Sequence, residues 1–255
     1  MTKILILLFY LILFSACKEK TIENNKKQKI YVIQKNIQDT LDYYFYKYEI
    51  EPEIIINNVE GNKKEVSFLS HKIKWFDKDD ETKIQIDNDL LNLRKEVTLN
   101  NVQGEGVDSV DFANNWDQIK YFKFNDDELI GIRMSFYPCT GLGCSVDYFL
   151  IYDLQRKTKN YFGTFRADNE LKLFHFNNDE QYRIDYLSKS YYDLTDSSGD
   201  KREIVYELFS LSNQGKFILQ KGNQGIPYYI KHRFSVDDTT RFQETWEKSW
   251  FEKIK

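Results

Sequence analysis

Carboxylates are the most numerous side chains in this sequence that can do acid–base chemistry, and many of them are neighbours in the sequence. Adjacent acids occur at residues 79–81, 126–128, 179–180 and 237–238. Two carboxylates held about 5 to 9.5 Å apart across a sugar can hydrolyse a glycosidic bond. Most of these acids fall where turns are expected, and turn acids usually serve solubility and local capping. An envelope glycan hydrolase that uses two carboxylates from separate strands is therefore the alternative hypothesis, not the first.

The histidines and glycines give no recognisable catalytic motif. His71, His175 and His232 lie far apart, and none belongs to a His-x-x-x-His or a histidine–carboxylate spacing. Gly104 and Gly106 follow no clear strand and open no helix, so they do not indicate a phosphate-binding loop. We predict no cofactor and no metal ligand, and we leave catalytic residues unassigned.

The first residues have the pattern of an export signal. Lys3 supplies a positive charge, residues 4–13 are an unbroken apolar run, and the small residues Ser15 and Ala16 precede Cys17. Charge, an apolar segment and small residues at the cut define a signal peptide. The run is shorter than the roughly 20 residues that span a membrane. We therefore predict that residues 1–16 are a signal peptide.

Ser15-Ala16-Cys17 resembles the lipobox of bacterial lipoproteins, with Phe14 where that family usually has leucine. The resemblance covers this segment only. It implies diacylglycerol on the Cys17 sulfur, cleavage after Ala16, and acylation of the new amino terminus with a fatty acid such as palmitate. Several acyl chains on one residue give stable membrane anchoring.

The residues after the lipobox indicate a tether and a membrane. Residues 17–29 hold little apolar surface besides Ile22, so they are expected to be a flexible tether. Inner-membrane lipoproteins often carry aspartate directly after the lipidated cysteine, so Lys18 favours the outer membrane. The abundance of Lys, Asn, Ile, Tyr and Phe is similar to that of Bacteroidetes proteins. Whether the domain faces the periplasm or the cell surface stays open.

Once Cys17 carries lipid, Cys139 and Cys144 remain as a pair in an oxidising compartment. Gly141 and Gly143 favour a turn between them, and such a turn can bring two cysteines to the Cα separation of a disulfide. We predict a disulfide that staples a hairpin tip and stabilises the fold by about 2 kcal/mol. A redox centre is disfavoured because the Cys-x-x-Cys spacing is missing.

Most of the remaining sequence reads as strands separated by turns about ten residues apart. Turn residues occur, for example, at 153–158 and 213–215. This pattern predicts a mainly β domain over residues 30–255, an antiparallel meander closed as a barrel or folded as a sandwich. A short helix is an option at residues 89–97, and residues 100–116 are a candidate sub-boundary. Residues 39–48 fit either a strand or a helix. The predicted strands are 29–34, 54–58, 65–76, 119–124, 129–137, 146–152, 160–166, 171–176, 182–187, 203–211, 216–220 and 227–234.

The C-terminal segment has the pattern of an amphipathic helix. Residues 237–239 offer a cap, and Phe242, Trp246, Trp250 and Ile254 recur at every fourth position. We predict a helix that packs on the sheet through this aromatic stripe.

Composition limits the partners. The formal net charge is −4, and no basic block interleaves with aromatic residues, which argues against nucleic acid. Aromatic residues make up 16% of the chain, which favours a folded domain and suits a recognition surface. We therefore expect a lipid-anchored, non-enzymatic binding module for a protein or polysaccharide ligand in the envelope.

Overall fold

The computed structural model describes residues 45–46, 48–57, 64–78, 81–93, 99–100, 115–136, 146–165, 170–176, 183–196, 199–222, 224–235 and 245–248. The chain separates into two compact units, residues 1–48 and 49–255. In the first unit the described residues are Phe45 and Tyr46, which are helical, and Tyr48. Among the described residues, no helix has the length and apolar character needed to cross a membrane.

The second unit consists of antiparallel β-strands arranged in three sheets. The strands are β1 (Glu49–Ile50), β2 (Ile54–Asn57), β3 (Glu65–Phe68), β4 (His71–Lys78), β5 (Glu81–Ile86), β6 (Asp89–Asn92), β7 (Asn115–Phe124), β8 (Asp127–Phe136), β9 (Val146–Asp153), β10 (Thr158–Phe165), β11 (Leu173–Phe174), β12 (Asp185–Asp196), β13 (Gly199–Leu211), β14 (Phe217–Leu219), β15 (Tyr229–Ser235) and β16 (Thr245–Lys248).

A five-stranded sheet, ordered β10-β9-β8-β7-β2, forms the middle layer. Successive side chains of a strand point to opposite faces, and the neighbours Leu129 and Ile130 are both fully buried. Both faces of this central sheet are therefore covered, which explains the nearly continuous apolar runs in β8 and β9. The tight turn between β7 and β8 is made by Asn125, whose φ of 54° lies in the left-handed region that asparagine tolerates.

A four-stranded sheet, ordered β3-β4-β5-β6, covers one face of the central sheet. Buried residues alternate with more exposed ones along its strands, as Ile73 and Trp75 do on β4, so one side is buried and the other is solvated. Trp75 stacks on Trp116 of the central sheet with ring centroids 5.7 Å apart. This aromatic pair adds to the core that joins the two sheets.

A seven-stranded sheet covers the opposite face of the central sheet. Its strands run in the order β1-β11-β12-β13-β15-β16, and β14 pairs with β13. Phe162 of the central sheet lies 4.3 Å from Tyr186 and 5.1 Å from Phe209, measured between ring centroids. The unit is thus layered, with one core on each side of the central sheet.

The prediction of a mainly β, antiparallel fold is confirmed, and its barrel alternative is wrong. In the described strands each sheet is open, and its faces are buried against another sheet. A central sheet that is apolar on both faces needs a cover on each side. A closed barrel supplies only one interior, so stacking of sheets satisfies this sequence better.

The predicted C-terminal helix is also wrong, because Thr245–Lys248 forms β16 and pairs with β15. A four-residue repeat fits a helical face, but four is also a multiple of the two-residue period of a strand. The spacing of Phe242, Trp246 and Trp250 was therefore compatible with either structure. Pairing with β15 gives the backbone of this segment its hydrogen bonds, and threonine and tryptophan favour strands.

Two smaller predictions fail for local reasons. The candidate helix at 89–97 begins instead with β6, and the single strand at 65–76 is a hairpin of β3 and β4. Leu69 and Ser70 make its turn, with Leu69 at a φ of 50°. The turn contains no glycine, proline or asparagine that would have indicated it in the sequence. The signal peptide, the tether, the predicted strand at 29–34 and residues 101–114 of the candidate sub-boundary lie outside the described residues.

Candidate functional site

A polar cleft lies at one end of the layer between the central sheet and the seven-stranded sheet. At this end, the turn end, short turns join β7 to β8 and β9 to β10. The cleft has a volume of about 400 Å³, within the range of small-molecule sites. We call it the turn-end cleft; its lining residues are Asp127, Arg156, Arg183, Ile184, Leu211, Ser212 and Asn213.

The turn after β9 positions the first arginine of the cleft. Asp153 Oδ1 accepts hydrogen bonds from the backbone N–H groups of Gln155 (3.0 Å) and Arg156 (2.8 Å). A carboxylate that bonds the backbone two residues ahead fixes a tight turn. Asp153 is fully buried, so the turn is anchored from inside the protein and Arg156 is carried to the cleft wall.

Arg156 is held by three acceptors. Its Nη1 lies 2.7 Å from Asp127 Oδ1 and 2.7 Å from Asp153 Oδ2, and its Nε donates to the Asn213 carbonyl at 3.0 Å. The hydrogen bonds to Asp127 and then to Asp153 raise the pKa of Arg156. Charge-assisted bonds of this kind are strong and fix the plane of the guanidinium.

The turn between β13 and β14 supplies the opposite wall. Gly215 has a φ of 75°, and its N–H donates to the Ser212 carbonyl at 2.9 Å. The Gly215 carbonyl accepts bonds from Thr158 Oγ1 (2.5 Å) and Asn160 Nδ2 (2.9 Å) of β10. These contacts dock the two turns together and place Ser212 and Asn213 beside Arg156.

The side chains in and beneath the cleft carry equal numbers of positive and negative charges. Arg156 and Arg183 are cationic, and Asp127 and the buried Asp153 are anionic. The cleft offers N–H donors from arginine and oxygen acceptors from aspartate, serine and asparagine over an apolar floor of Ile184 and Leu211. Such a mixture of donors and acceptors without net charge matches a neutral ligand rich in hydroxyl groups.

Asp127 and Asp153 are the two carboxylates at this site that could act as the catalytic pair of a glycan hydrolase. Both contact the same nitrogen of Arg156, so their carboxyls are close to the roughly 5 Å separation of a retaining glycosidase. Asp153, however, is fully buried and already accepts two backbone N–H groups. A sugar in the cleft would meet Asp127 but not Asp153, so this pair holds a turn and does not form a catalytic dyad.

The structure places the three histidines in separate surroundings. His71 Nδ1 lies 2.8 Å from Asp87 Oδ2 in the four-stranded sheet. Burial alone would raise the pKa of Asp87, but hydrogen bonds from His71 and the Lys72 backbone lower it. His175 Nδ1 donates to the Arg183 carbonyl at 2.9 Å. His232 lies on β15 opposite Trp246.

The remaining candidates from the sequence are only partly described. Of the acids at 126–128, Asp127 lines the cleft, whereas the acids at 179–180 and 237–238 lie outside the described residues. Cys17, Cys139 and Cys144 also lie outside them. Within the described ranges, no three His, Cys, Asp or Glu side chains are grouped to hold a metal ion.

Sequence reasoning missed the arginines and Asn213. The usable signal was local: Asp153 and Arg156 lie three residues apart in a predicted turn, and Asn213 opens another. No protein-family model matches the chain, and neither a curated protein nor a solved structure matches it.

Proposed function

We propose that this chain is a lipoprotein of the bacterial outer membrane, anchored through lipid on Cys17, whose layered β unit binds a neutral glycan in the turn-end cleft. The lipobox-like segment and polar tether support the anchor. The observation that carries the ligand assignment is the charge-balanced set of donors and acceptors around Arg156. Hydroxyl groups both donate and accept hydrogen bonds, so a sugar matches this wall better than an anion does.

The structure also supports binding over catalysis in this cleft. Arg156 is locked by Asp127, Asp153 and the Asn213 carbonyl, so the wall is organised before a ligand arrives. Because its side chains are already ordered, a preorganised site loses less conformational entropy when it binds a ligand. Asp127 is the carboxylate of the lining, and a two-carboxylate mechanism needs a second that the sugar can reach.

The ligand assignment can be tested with full-length protein in detergent micelles on an array of neutral oligosaccharides. We expect retention of at least one oligosaccharide, and Asp127→Asn should weaken it at least tenfold because the Arg156 clamp is loosened. Asp126→Asn is the matched control, since the Asp126 side chain is exposed and outside the lining. Absence of retention, or equal binding by Asp127→Asn, would overturn the proposal. New reducing ends in the bound sugar would favour the hydrolase alternative.

The anchor and the staple need separate tests. Cys17→Ala should abolish incorporation of labelled palmitate, and continued labelling would refute the anchor.

Thiol counting on denatured, unreduced protein should find Cys139 and Cys144 unreactive. Two reactive thiols from these positions would contradict the disulfide.

A further inference from the structure

Arg156 keeps hydrogen-bond donors in the turn-end cleft that the fold does not use. Its Nη1 bonds Asp127 and Asp153, and its Nε bonds the Asn213 carbonyl. A guanidinium has five N–H donors, and the two on Arg156 Nη2 have no acceptor among the described residues. The cleft wall therefore presents donors that are held in place and still available.

Asp127 offers a matching acceptor. Its Oδ1 lies 2.7 Å from Arg156 Nη1, whereas its Oδ2 accepts no hydrogen bond within the described ranges. Asp127 Oδ2 and Arg156 Nη2 are each two covalent bonds away from the atom that makes this contact. Because both residues line the cleft, an acceptor and a donor are held close together at its wall.

The turn between β13 and β14 adds a second set of polar groups. Asn213 holds Arg156 through its backbone carbonyl, and its side-chain amide has no partner in the part of the chain that the structure describes. Ser212 Oγ accepts from the Lys216 N–H at 3.2 Å, and its own O–H has no acceptor there. Ser212 and Asn213 both line the cleft, so an amide and a hydroxyl face the ligand from the opposite wall.

This set of groups is too large for one hydroxyl to satisfy. A hydroxyl donates once and accepts at most twice, whereas an amide alone has two N–H donors and an acceptor oxygen. Two hydroxyls on adjacent carbons of a sugar ring supply two donors and four acceptor sites, at a spacing that the ring fixes. Ile184 and Leu211 form an apolar floor on which the C–H face of such a ring can lie.

We propose that the cleft recognises a vicinal diol, that is, two hydroxyl groups on adjacent carbons of a sugar ring. One hydroxyl donates to Asp127 Oδ2, its neighbour accepts from Arg156 Nη2, and the Asn213 amide bonds the pair from the opposite wall. The inference rests on the glycan assignment and names the feature of the glycan that is recognised. It also makes Asn213 a ligand-binding residue whose side chain has little part in the fold.

The test uses full-length protein in micelles on an array that carries each neutral oligosaccharide twice. One copy is untreated, and the other has been oxidised with periodate and then reduced with borohydride. Periodate cleaves the carbon–carbon bond of a vicinal diol, and the reduction leaves neutral hydroxyls that are no longer adjacent on a ring. We expect retention of an untreated oligosaccharide and at least tenfold weaker retention of its oxidised copy.

Monodeoxy analogues of the retained oligosaccharide keep the ring closed and locate the diol. Loss of either hydroxyl of one adjacent pair should weaken binding about fivefold, and loss of any other hydroxyl should have a smaller effect. No retention of any oligosaccharide would overturn the glycan assignment together with the diol. Equal retention of both copies, or equal weakening by every deoxy replacement, would overturn diol recognition and leave glycan binding in place.

Asn213→Ala separates ligand binding from stability. The substitution keeps the backbone carbonyl that holds Arg156 Nε, so the melting temperature should stay within about 2 °C. Affinity for the untreated oligosaccharide should fall about fivefold. Asn88→Ala, at an exposed asparagine between β5 and β6, is the matched control and should change neither quantity.

A second variant keeps the test independent of folding. If Asn213→Ala does not fold, Asn213→Asp retains a turn-forming side chain but has no N–H donor, and it should lose the same affinity. Undiminished affinity in either folded variant would overturn the proposed arrangement of the site.

Discussion

The two ends of the layer between the central and seven-stranded sheets treat buried polar groups in opposite ways. At the turn end, Asn160 accepts from the Phe217 N–H at 2.8 Å and donates to the Gly215 carbonyl at 2.9 Å. Asp153 there accepts two backbone N–H groups and contacts Arg156. At the opposite end, where β8 ends and β9 begins, Asp117 Oδ1 and Ser188 Oγ have no hydrogen-bond partner among the described residues.

This difference separates polar groups that stabilise the fold from polar groups that do not within one layer. A satisfied hydrogen bond contributes about 0.5–1.5 kcal/mol, and an unsatisfied buried group costs about 1–3 kcal/mol. The turn end therefore stabilises the fold and holds a rigid cleft. The opposite end keeps polar atoms that add no hydrogen bond to the folded state, and substitutions at the two ends should have very different effects on unfolding.

The largest loss is expected for Asp153→Ala at the turn end. The change removes a fully buried carboxylate, leaves the turn N–H groups of Gln155 and Arg156 without their acceptor, and takes one partner from Arg156. Each of these donors that loses its acceptor costs about 1–3 kcal/mol, so we expect about 4 kcal/mol less free energy of unfolding in urea titrations. Asp126→Ala, in the exposed neighbouring turn, should change it by less than about 0.5 kcal/mol. Similar values for both variants would remove the turn end from its stabilising role.

A second pair of substitutions isolates the docking of the two turns. Gly215 and Gly225 share a φ of 75°, so alanine at either position is strained by about 1 kcal/mol. A Cβ on Gly215 would lie 2.3 Å from Thr158 Oγ1, whereas nothing lies within 4 Å of a Cβ on Gly225. With overpacking added, Gly215→Ala should cost about 3 kcal/mol and Gly225→Ala about 1 kcal/mol. Thermal melts that show equal losses would mean that the turns are not tightly docked.

The local parts of this architecture could be predicted from the sequence. The strand expected at 146–152 is Val146–Asp153, and the strand expected at 129–137 is Asp127–Phe136. Both are defined by aromatic and branched residues between turn residues, so the signal lies within one segment. The turn at 153–158 was recognisable for the same reason.

The contacts that build the cleft and the sheets could not be predicted, because they join distant segments. Asn160 contacts Gly215 across 55 positions of sequence. The β-bulge between Trp116 and Gln118 is defined only by the pairing of β7 with β8. The C-terminal segment shows the limit of periodicity, since its four-residue repeat fitted a helix and a strand equally. Only the partner strand β15 decided between them.

The smallest effects should come from two serines on adjacent strands, and they compare hydrogen bonding most directly. Ser210 Oγ donates to Asp185 Oδ1 at 2.5 Å, whereas Ser188 Oγ, which is also buried, has no hydrogen-bond partner among the described residues. Ser210→Ala should lower the free energy of unfolding by about 1.5–2 kcal/mol, because the buried carboxyl of Asp185 would lose a hydrogen-bond partner. Ser188→Ala removes no bond and relieves an unpaired polar atom, so its unfolding free energy should stay within about 0.5 kcal/mol or rise. Urea titrations of the two variants measure both changes in the free energy of unfolding. A loss at Ser188 as large as that at Ser210 would show that the Ser188 hydroxyl is already satisfied and that both ends of the layer are built alike.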